Sequence, residues 1–285
     1  MPHVTVIIVN WQRAQDTIEC VRSVQQSKHT DVRILVVDNG SQDNSVAQLR
    51  ESLPGVTLLS LPENLGFSGG YNAGIREALK HDADFLFLLN NDTVIEPDTI
   101  SQLLAAPWDV AIPKILYFDA PDTIWSTGAQ WRRFPPSVKM IGHRKTDSQK
   151  YQVPRALDYA TGCALLIQRQ VAETVGGFDP AYENYMEDYD YFYRVRDAGF
   201  SVGYVPKARI FHKVSQSLGA DSPLVWRYTG RNTVLFYRKG KRFSRWALGT
   251  YIAWVTFREM VKGNFRALPP FWNGIWEGLN ILGKE

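Results

Sequence analysis

The chain has 285 residues, 45% hydrophobic and 21% charged, with a formal net charge of +3. That suits an ordinary globular protein, one large α/β domain with an appendage, and excludes a polyanion binder acting through its whole surface, so no nucleic-acid partner is expected. No low-complexity stretch, repeat, leader-like segment or run of about twenty apolar residues occurs, so a cytoplasmic protein without a membrane-spanning helix is expected.

Val4-Thr5-Val6-Ile7-Ile8-Val9 is continuous and β-branched, the pattern of a strand buried on both faces of a parallel sheet. From Asp16 to Gln26, Ile18, Val21 and Val24 recur at helical spacing. Val32 to Val37 is a second buried strand, ending in the turn-forming Asp38-Asn39-Gly40-Ser41, and a helix is predicted near Ser45 to Leu53. Val56 to Leu61 reads as a third strand, Phe67 to Lys80 as a glycine-opened helix, and Phe85 to Leu89 as a fourth strand broken by Asn90-Asn91-Asp92. This alternation predicts a doubly wound, mostly parallel α/β sheet.

Ligands bind at the carboxyl ends of the strands in such sheets. Asn10-Trp11, Asp38-Asn39, Asn64 to Gly70 and Asn90 to Asp92 all stand there, outlining one crevice. Residues 113–160 are expected to be irregular or antiparallel. Ala164 to Ile167 reads as a strand, Gln170 to Val175 as a short helix, Glu187 to Ala198 as a helix ending at Gly199, and Val202 to Val205 as a strand followed by Ala208 to His212.

From about Val225 to Arg266 the basic residues Arg227, Arg231, Arg238, Lys239, Lys241, Arg242, Arg245, Arg258, Lys262 and Arg266 face a single acid, Glu259. Between them lie Trp246, Leu248, Tyr251, Ile252, Trp254, Val255 and Phe257, a helix of about twelve residues, too short to span a bilayer. It suits the headgroup region of an anionic membrane; the plainer alternative is packing on the domain or on a second subunit. Cys20 and Cys163 lack metal-type spacing and read as reduced, buried thiols.

Asp92 is the only carboxylate in Asn90-Asn91-Asp92. A hard cation on a diphosphate wants oxygen ligands, and His212, closing an apolar strand, is the best second ligand; an imidazole suits manganese better than calcium. Taken alone, the same turn could be a helix cap, since Asp92-Thr93 precedes apolar residues and Glu96. Glu187, Asp188 and Asp190 crowd a helix start, so one of them is expected to have a raised pKa and act as a base. Asp38 could accept a hydrogen bond from a pyrimidine imino group. Gly66, Gly69, Gly70 and Gly74 could let backbone approach a phosphate or ribose.

Val6 to Trp11, Val36 to Ser41, Glu63 to Gly74, Leu88 to Thr93 and Tyr185 to Asp190 resemble, in order, the blocks of family 2 glycosyltransferases of GT-A fold, in the bacterial rhamnosyltransferase-like branch. The resemblance covers roughly residues 3 to 235. It implies inverting transfer of a sugar such as rhamnose from a dTDP- or UDP-sugar to a glycan or lipid-linked acceptor in surface polysaccharide synthesis. Asp188 would be the base and Asp38 the nucleobase ligand. Asp92 and His212 would hold Mn2+ or Mg2+, with Asn90 as an auxiliary ligand that departs from the usual acid. Val9, Trp11, Asp38, Asn64, Gly69, Asn72 and Asn91 would line the donor site, and Trp125, Tyr185 and Glu187 the acceptor site.

The resemblance divides the chain into a domain at 1–235, with a donor nucleotide half at 1–112 and an acceptor and catalytic half at 113–235. The basic, aromatic helical tail occupies 236–285, where it would attach the protein to the inner face of the cell membrane or join it into a homodimer. Two other readings stay open. A sugar-phosphate nucleotidyltransferase would carry a basic glycine-rich loop where Asn10-Trp11-Gln12-Arg13 stands. A non-catalytic nucleotide-sugar-binding subunit would have no use for Asp92, Asp188 and His212 together.

Overall fold

The computed structural model describes residues 1–132, 137–214, 222–239 and 244–282. The expectations for Lys241 and Arg242 lie outside the described residues. The first half runs β1 (Val4–Asn10), α1 (Ala14–Gln25), β2 (Val32–Asp38), α2 (Ser45–Ser52), β3 (Thr57–Ser60), α3 (Gly66–Leu79), β4 (Phe85–Asn90), β5 (Thr93–Ile95) and α4 (Thr99–Leu104). It continues through β6 (Val110–Tyr117), β7 (Ile124–Ser126), β8 (Ala129–Arg132), β9 (Ser137–Met140), β10 (Arg155–Ala156) and β11 (Ala164–Gln168) to α5 (Arg169–Val175), α6 (Glu187–Asp197) and β12 (Val202–His212). The chain closes with α7 (Pro223–Arg238), α8 (Arg245–Val261) and α9 (Leu268–Leu282).

Among the described residues one sheet has the order β10-β12-β6-β11-β4-β1-β2-β3, with β5 on β12 and β7 on β6. β1, β2, β3 and β4 pair in parallel, as do β6 and β12, while β11 runs antiparallel between β4 and β6. The doubly wound expectation is met, and the order reverses between β1 and β4, where such sheets open a crevice.

The continuous apolar strands are explained by two cores. Ile7, Leu35, Val37, Leu86 and Leu88 point to one face, joined by residues of α3, α5 and α6. Val6, Ile8, Val36, Phe87 and Leu89 point to the other, joined by residues of α1 and α4. Strand side chains alternate between faces, so a strand covered on both sides must be apolar at every position. Gly74 lets α3 lie close: a Cβ there would stand 2.4 Å from Ile7 Cγ2. Overpacking of that kind costs about 1–3 kcal/mol.

Two local expectations fail. The region after 113 is not irregular from its start, because β6 is a long central strand. Pro113 disguises it, since proline donates no ladder hydrogen bond. The partner strand accommodates this with an irregularity: Val205 pairs with Pro113 and Arg209 with Lys114. The two segments expected at 202–205 and 208–212 are therefore one strand, β12, with a bulge opposite the proline. The buried Lys114, which also discourages a strand reading, is paired with Asp147 at 2.8 Å. β7 to β10 are short and antiparallel, as expected of that region.

α7 passes through residue 235 and packs along α9. The two backbones touch: a Cβ on Gly230 would lie 2.1 Å from the Phe271 carbonyl oxygen, and one on Gly274 2.0 Å from that of Arg227. A third core, with Tyr182, Val234, Phe236, Leu248, Val255, Phe271 and Ile275, binds these helices to the segment before α6.

Candidate active site

The parallel register brings the polar strand ends level. Asn10 stands beside Asp38, Asp38 beside Ser60, and Val9 beside Asn90. Buried Asn10 donates to Asp38 Oδ1 at 2.8 Å and accepts from Thr17 Oγ1 at 2.8 Å, and Asn91 Nδ2 donates to Thr17 at 3.0 Å. Asn39 donates to Asn64 Oδ1 at 3.0 Å and to the Gly66 carbonyl at 2.9 Å. The four polar clusters thus form the floor of one crevice. An open cleft of about 400 Å3, lined by Asn64, Gly66, Ser68, Tyr182, Glu183 and Asn184, continues from it towards α6.

Several expected donor contacts take another place. Asp38 is 1% exposed and accepts from Asn10, from Ser41 Oγ at 2.6 Å and from Ser41 N at 3.1 Å. It braces the 38–41 turn from beneath, and a direct base contact would have to displace one of these bonds. Asn72 spends both ends of its amide on Phe178, donating to O at 2.7 Å and accepting from N at 2.8 Å. It fastens the 177–178 segment to α3. Gly69 has Leu65 against it, 2.3 Å from where a Cβ would be, and Gly70 meets Val9 at 2.8 Å. These glycines serve packing inside the protein, since the space a Cβ would fill is taken by protein atoms. Val9 is half-buried, Trp11 is 48% exposed at the crevice rim, and Asn64 is exposed.

The helix-cap alternative for Asn90-Asn91-Asp92 is removed, because β5 follows Asp92 directly. β5 pairs antiparallel with β12, Thr93 opposite His212, which sets Asp92 and His212 side by side. Asp92 Oδ1 lies 3.1 Å from His212 Nε2. Burial opposes an imidazolium there, but the Cys163 sulfur and the Asp92 carboxylate outweigh it and push His212 up to about 10. Trp125, expected at the acceptor, stands edge-on to the His212 ring, centroids 4.5 Å apart. Asn90 accepts from Tyr71 Oη at 3.0 Å.

The donor set fits a hard cation on one test. Two adjacent ligands about 2.1 Å from an octahedral ion stand roughly 3 Å apart, the spacing of this oxygen and nitrogen, so a cation would have to displace the proton His212 shares with Asp92. Among the described residues no three His, Cys, Asp or Glu side chains converge, so water and a diphosphate would complete the shell. Cys20 and Cys163 are buried and free, and burial pushes the Cys20 thiol up to about 12.

At the start of α6 the three acids diverge. Asp190 is fully buried and holds Arg194 at 2.7 Å, which in turn donates to the Val175 and Gly177 carbonyls. Asp188 Oδ2 accepts from Tyr159 Oη at 2.7 Å and Oδ1 from the Tyr189 N–H at 2.9 Å. Burial raises Asp188, while the Tyr159 hydroxyl favours its anion. Burial raises Glu187 as well, aided by the Asp188 charge, and Glu187 Oε2 has no partner. Asp188 is therefore the better stabilised anion of the two, a carboxylate that is ionised but expensive.

Tyr185 and Met186, immediately before, have φ of 67° and 68°. Two successive non-glycine residues in the left-handed region cost of order 1–3 kcal/mol each, and such strain gathers at functional sites.

One loop joins the two halves. The Gly162 backbone hydrogen-bonds to Asp188, and the Cys163 carbonyl accepts from Asn90 N at 2.9 Å. Adjacent residues of one loop thus meet Asp188 and the end of β4 that leads to Asp92. Sequence reasoning missed Tyr159, Thr17 and Tyr71. Tyr159 meets Asp188 across 29 positions, Tyr71 meets Asn90 across 19 and Thr17 meets Asn91 across 74, and no local pattern signals that. A larger open hollow of about 640 Å3 around Arg227, Trp276 and Glu277 is lined, among the described residues, by α7 and α9.

The family model "Glycosyl transferase family 2" matches residues 5–176. An N-acetylglucosaminyl-diphospho-decaprenol L-rhamnosyltransferase of Mycobacterium tuberculosis is 27% identical over 243 residues, 76% of this chain and 78% of the relative. A low-salt glycan biosynthesis hexosyltransferase of Haloferax volcanii is 23% identical over 98% of this chain and 92% of its own length. Among solved structures, GalNAc-T7 with UDP, GalNAc and Mn2+ aligns with a TM-score of 0.66 at 16% identity, over 85% of this chain and 49% of that one. A mannosyltransferase of Pyrobaculum calidifontis with GDP-Man and Mn2+ gives 0.60 at 16% identity, over 98% and 87%. The shared fold is GT-A.

Proposed function

The chain belongs to glycosyl transferase family 2, and we propose that it carries out inverting, metal-assisted transfer of a sugar from a nucleoside diphosphate to a lipid-linked glycan acceptor. The observation that carries the reading is that Gly162 hydrogen-bonds to Asp188 while the next residue, Cys163, accepts from Asn90, two residues before the Asp92 that pairs with His212. Asp188 lies beyond the family match, which ends at 176, so its role is supported by geometry.

Asp188 takes the proton from the acceptor hydroxyl. The oxygen so freed attacks the anomeric carbon opposite the leaving group, and the bond from that carbon to the diphosphate breaks with its electron pair going to the diphosphate. A single displacement of this kind inverts the anomeric centre. Glu187, which holds a proton more readily than Asp188, donates a hydrogen bond to the acceptor. Asp92 and His212, with Asn90 nearby, would hold the divalent ion, which supplies charge neutralisation of the diphosphate. The strand-end network from Asp38 to Asn64 shapes the nucleotide's seat. A dTDP- or UDP-sugar with rhamnose as the sugar is the favoured donor, in line with the mycobacterial relative's name.

The test is a transfer screen over dTDP-, UDP- and GDP-sugars with a polyprenyl-diphosphate-linked GlcNAc, with and without manganese. Transfer from one donor with inversion supports the reading. Synthesis of a nucleotide sugar from a sugar phosphate, or binding without turnover, would overturn it.

Attachment to an anionic membrane belongs to the same proposal. No helix among the described residues is long and apolar enough to cross a membrane. α8 nevertheless exposes Trp246, Phe257, Met260 and Val261, with Gly249 and Ala253 between them on the outward face, and Phe265 follows. Exposed Arg245, Lys262 and Arg266 accompany this face, a charge pattern complementary to acidic lipid headgroups. Trp246→Asp with Phe257→Asp should release the protein from phosphatidylglycerol vesicles; unchanged binding, or a concentration-dependent dimer broken by the same changes, would favour packing against a second copy.

A further inference from the structure

We infer that Asn232, on α7, is a positioning residue for the Asp188 carboxylate. The inference rests on Asp188 being the base, and its test is built so that the two can fail separately.

The turn that delivers Asp188 is the least comfortable backbone in the site. Tyr185 and Met186 are consecutive, carry side chains, and both sit at positive φ. Something must hold them, because a residue free to leave the left-handed region does so. The two carbonyls at this point, those of Asn184 and Tyr185, accept the two amide hydrogens of Asn232, each at 2.7 Å. Asn232 is 0% exposed. Its Oδ1 accepts from Arg231 Nη1 at 2.9 Å, and Arg231 is steadied by the carboxylates of Glu183 at 3.3 Å and Glu277 at 3.5 Å. The neighbouring Thr233 hydroxyl reaches the Met186 sulfur at 3.7 Å.

Only an amide meets this demand. Two donors must face two carbonyls from one planar group while its oxygen meets a guanidinium. A carboxylate offers no donors, and an aliphatic side chain leaves two buried carbonyls unpaired. Asn232 thus grips the turn from behind, and relaxation of Tyr185 and Met186 would rotate the first turn of α6 and draw Asp188 away from Tyr159 and from the acceptor. The C-terminal helices, outside the family match, thereby become part of the catalytic unit.

The experiment compares Asn232→Ala with Val234→Ala, a buried α7 residue of the same core, in the full chain. Steady-state rates are divided by the folded fraction from thermal melts. Asn232→Ala should lower kcat about 10- to 100-fold, with KM for donor and acceptor moved less than about threefold. Val234→Ala should lower Tm and leave kcat unchanged. In a Met186→Gly background, where one of the two left-handed residues needs no holding, Asn232→Ala should cost less than in wild type. Should Asn232→Ala not fold, Asn232→Gln, which keeps the amide but lengthens the reach by one methylene, carries the same expectation. A kcat within about twofold of wild type per folded molecule would make Asn232 merely structural and overturn the inference. Full activity in Asp188→Asn would instead overturn the base assignment.

Discussion

The crevice has two sides that solve the burial of polar groups in opposite ways. At the strand ends, Asp38, Asn10, Thr17 and Asn91 satisfy one another, and Asn39 and Asn64 do the same. At the start of α6, Glu187 keeps a buried oxygen without a partner, two acids adjoin, and two residues lie in the left-handed region. The first side resembles a well-built interior; the second carries uncompensated cost. Polarity alone therefore does not mark the reacting group. Cost that only the surrounding packing sustains is the better marker, and it points to the start of α6, where the proposed base stands.

The largest expected effect comes from breaking the costly side. Asp188→Asn should lower kcat by about 10^2- to 10^4-fold, the range for a general base, while donor binding by calorimetry is preserved. Loss of donor binding together with rate would place Asp188 in the seat and not at the reaction. The Asp92–His212 pair joins the two sides. Asp92→Ala and His212→Ala should each cost on the order of a hundredfold in kcat/KM, with a reduced response to added manganese. Equal manganese response in wild type and variants would remove the pair from the metal site.

The smallest effect sharpens the comparison through stability. Glu187 binds its proton more tightly folded than unfolded. The stability this gives is complete below the ordinary Glu value and is lost as pH rises through the raised one. Glu187→Gln is uncharged throughout, so its Tm should gain on wild type between about pH 5 and about pH 9. A constant Tm difference over that range would mean that Glu187 ionises as freely folded as unfolded.

The parallel half was legible because its signals are local. Val4 to Val9 and Phe85 to Leu89 announce doubly buried strands by composition, and the turns after them announce the crevice. β6 was hidden because Pro113 and Lys114 break the apolar run, and their remedies, a bulge in β12 and Asp147, are distant in sequence. Asp92 and His212 could be nominated from residue type and context, whereas Asp188 was singled out from three neighbouring acids by the family resemblance. Asn72 and Gly69 could not be told from ligand contacts, because an amide that clamps a backbone and a glycine that admits a helix look the same in sequence as ones that meet a donor. Asp38 was legible as important, but its burial beneath the turn was not. Asn232 gave no sign, since its partners lie 48 and 47 positions away.

The most direct test of the central claim is kcat for sugar transfer measured against pH at saturating donor, acceptor and metal, for wild type and Glu187→Gln. Asp188 faces Glu187, Tyr159 and Tyr189, and its raised value should appear as a loss of rate on acidification that begins above the ordinary aspartate range. Glu187 still holds its proton where Asp188 titrates, so Glu187→Gln should leave that limb in place. A limb at the ordinary aspartate value of about 3.9, or one that Glu187→Gln moves to lower pH, would contradict the account.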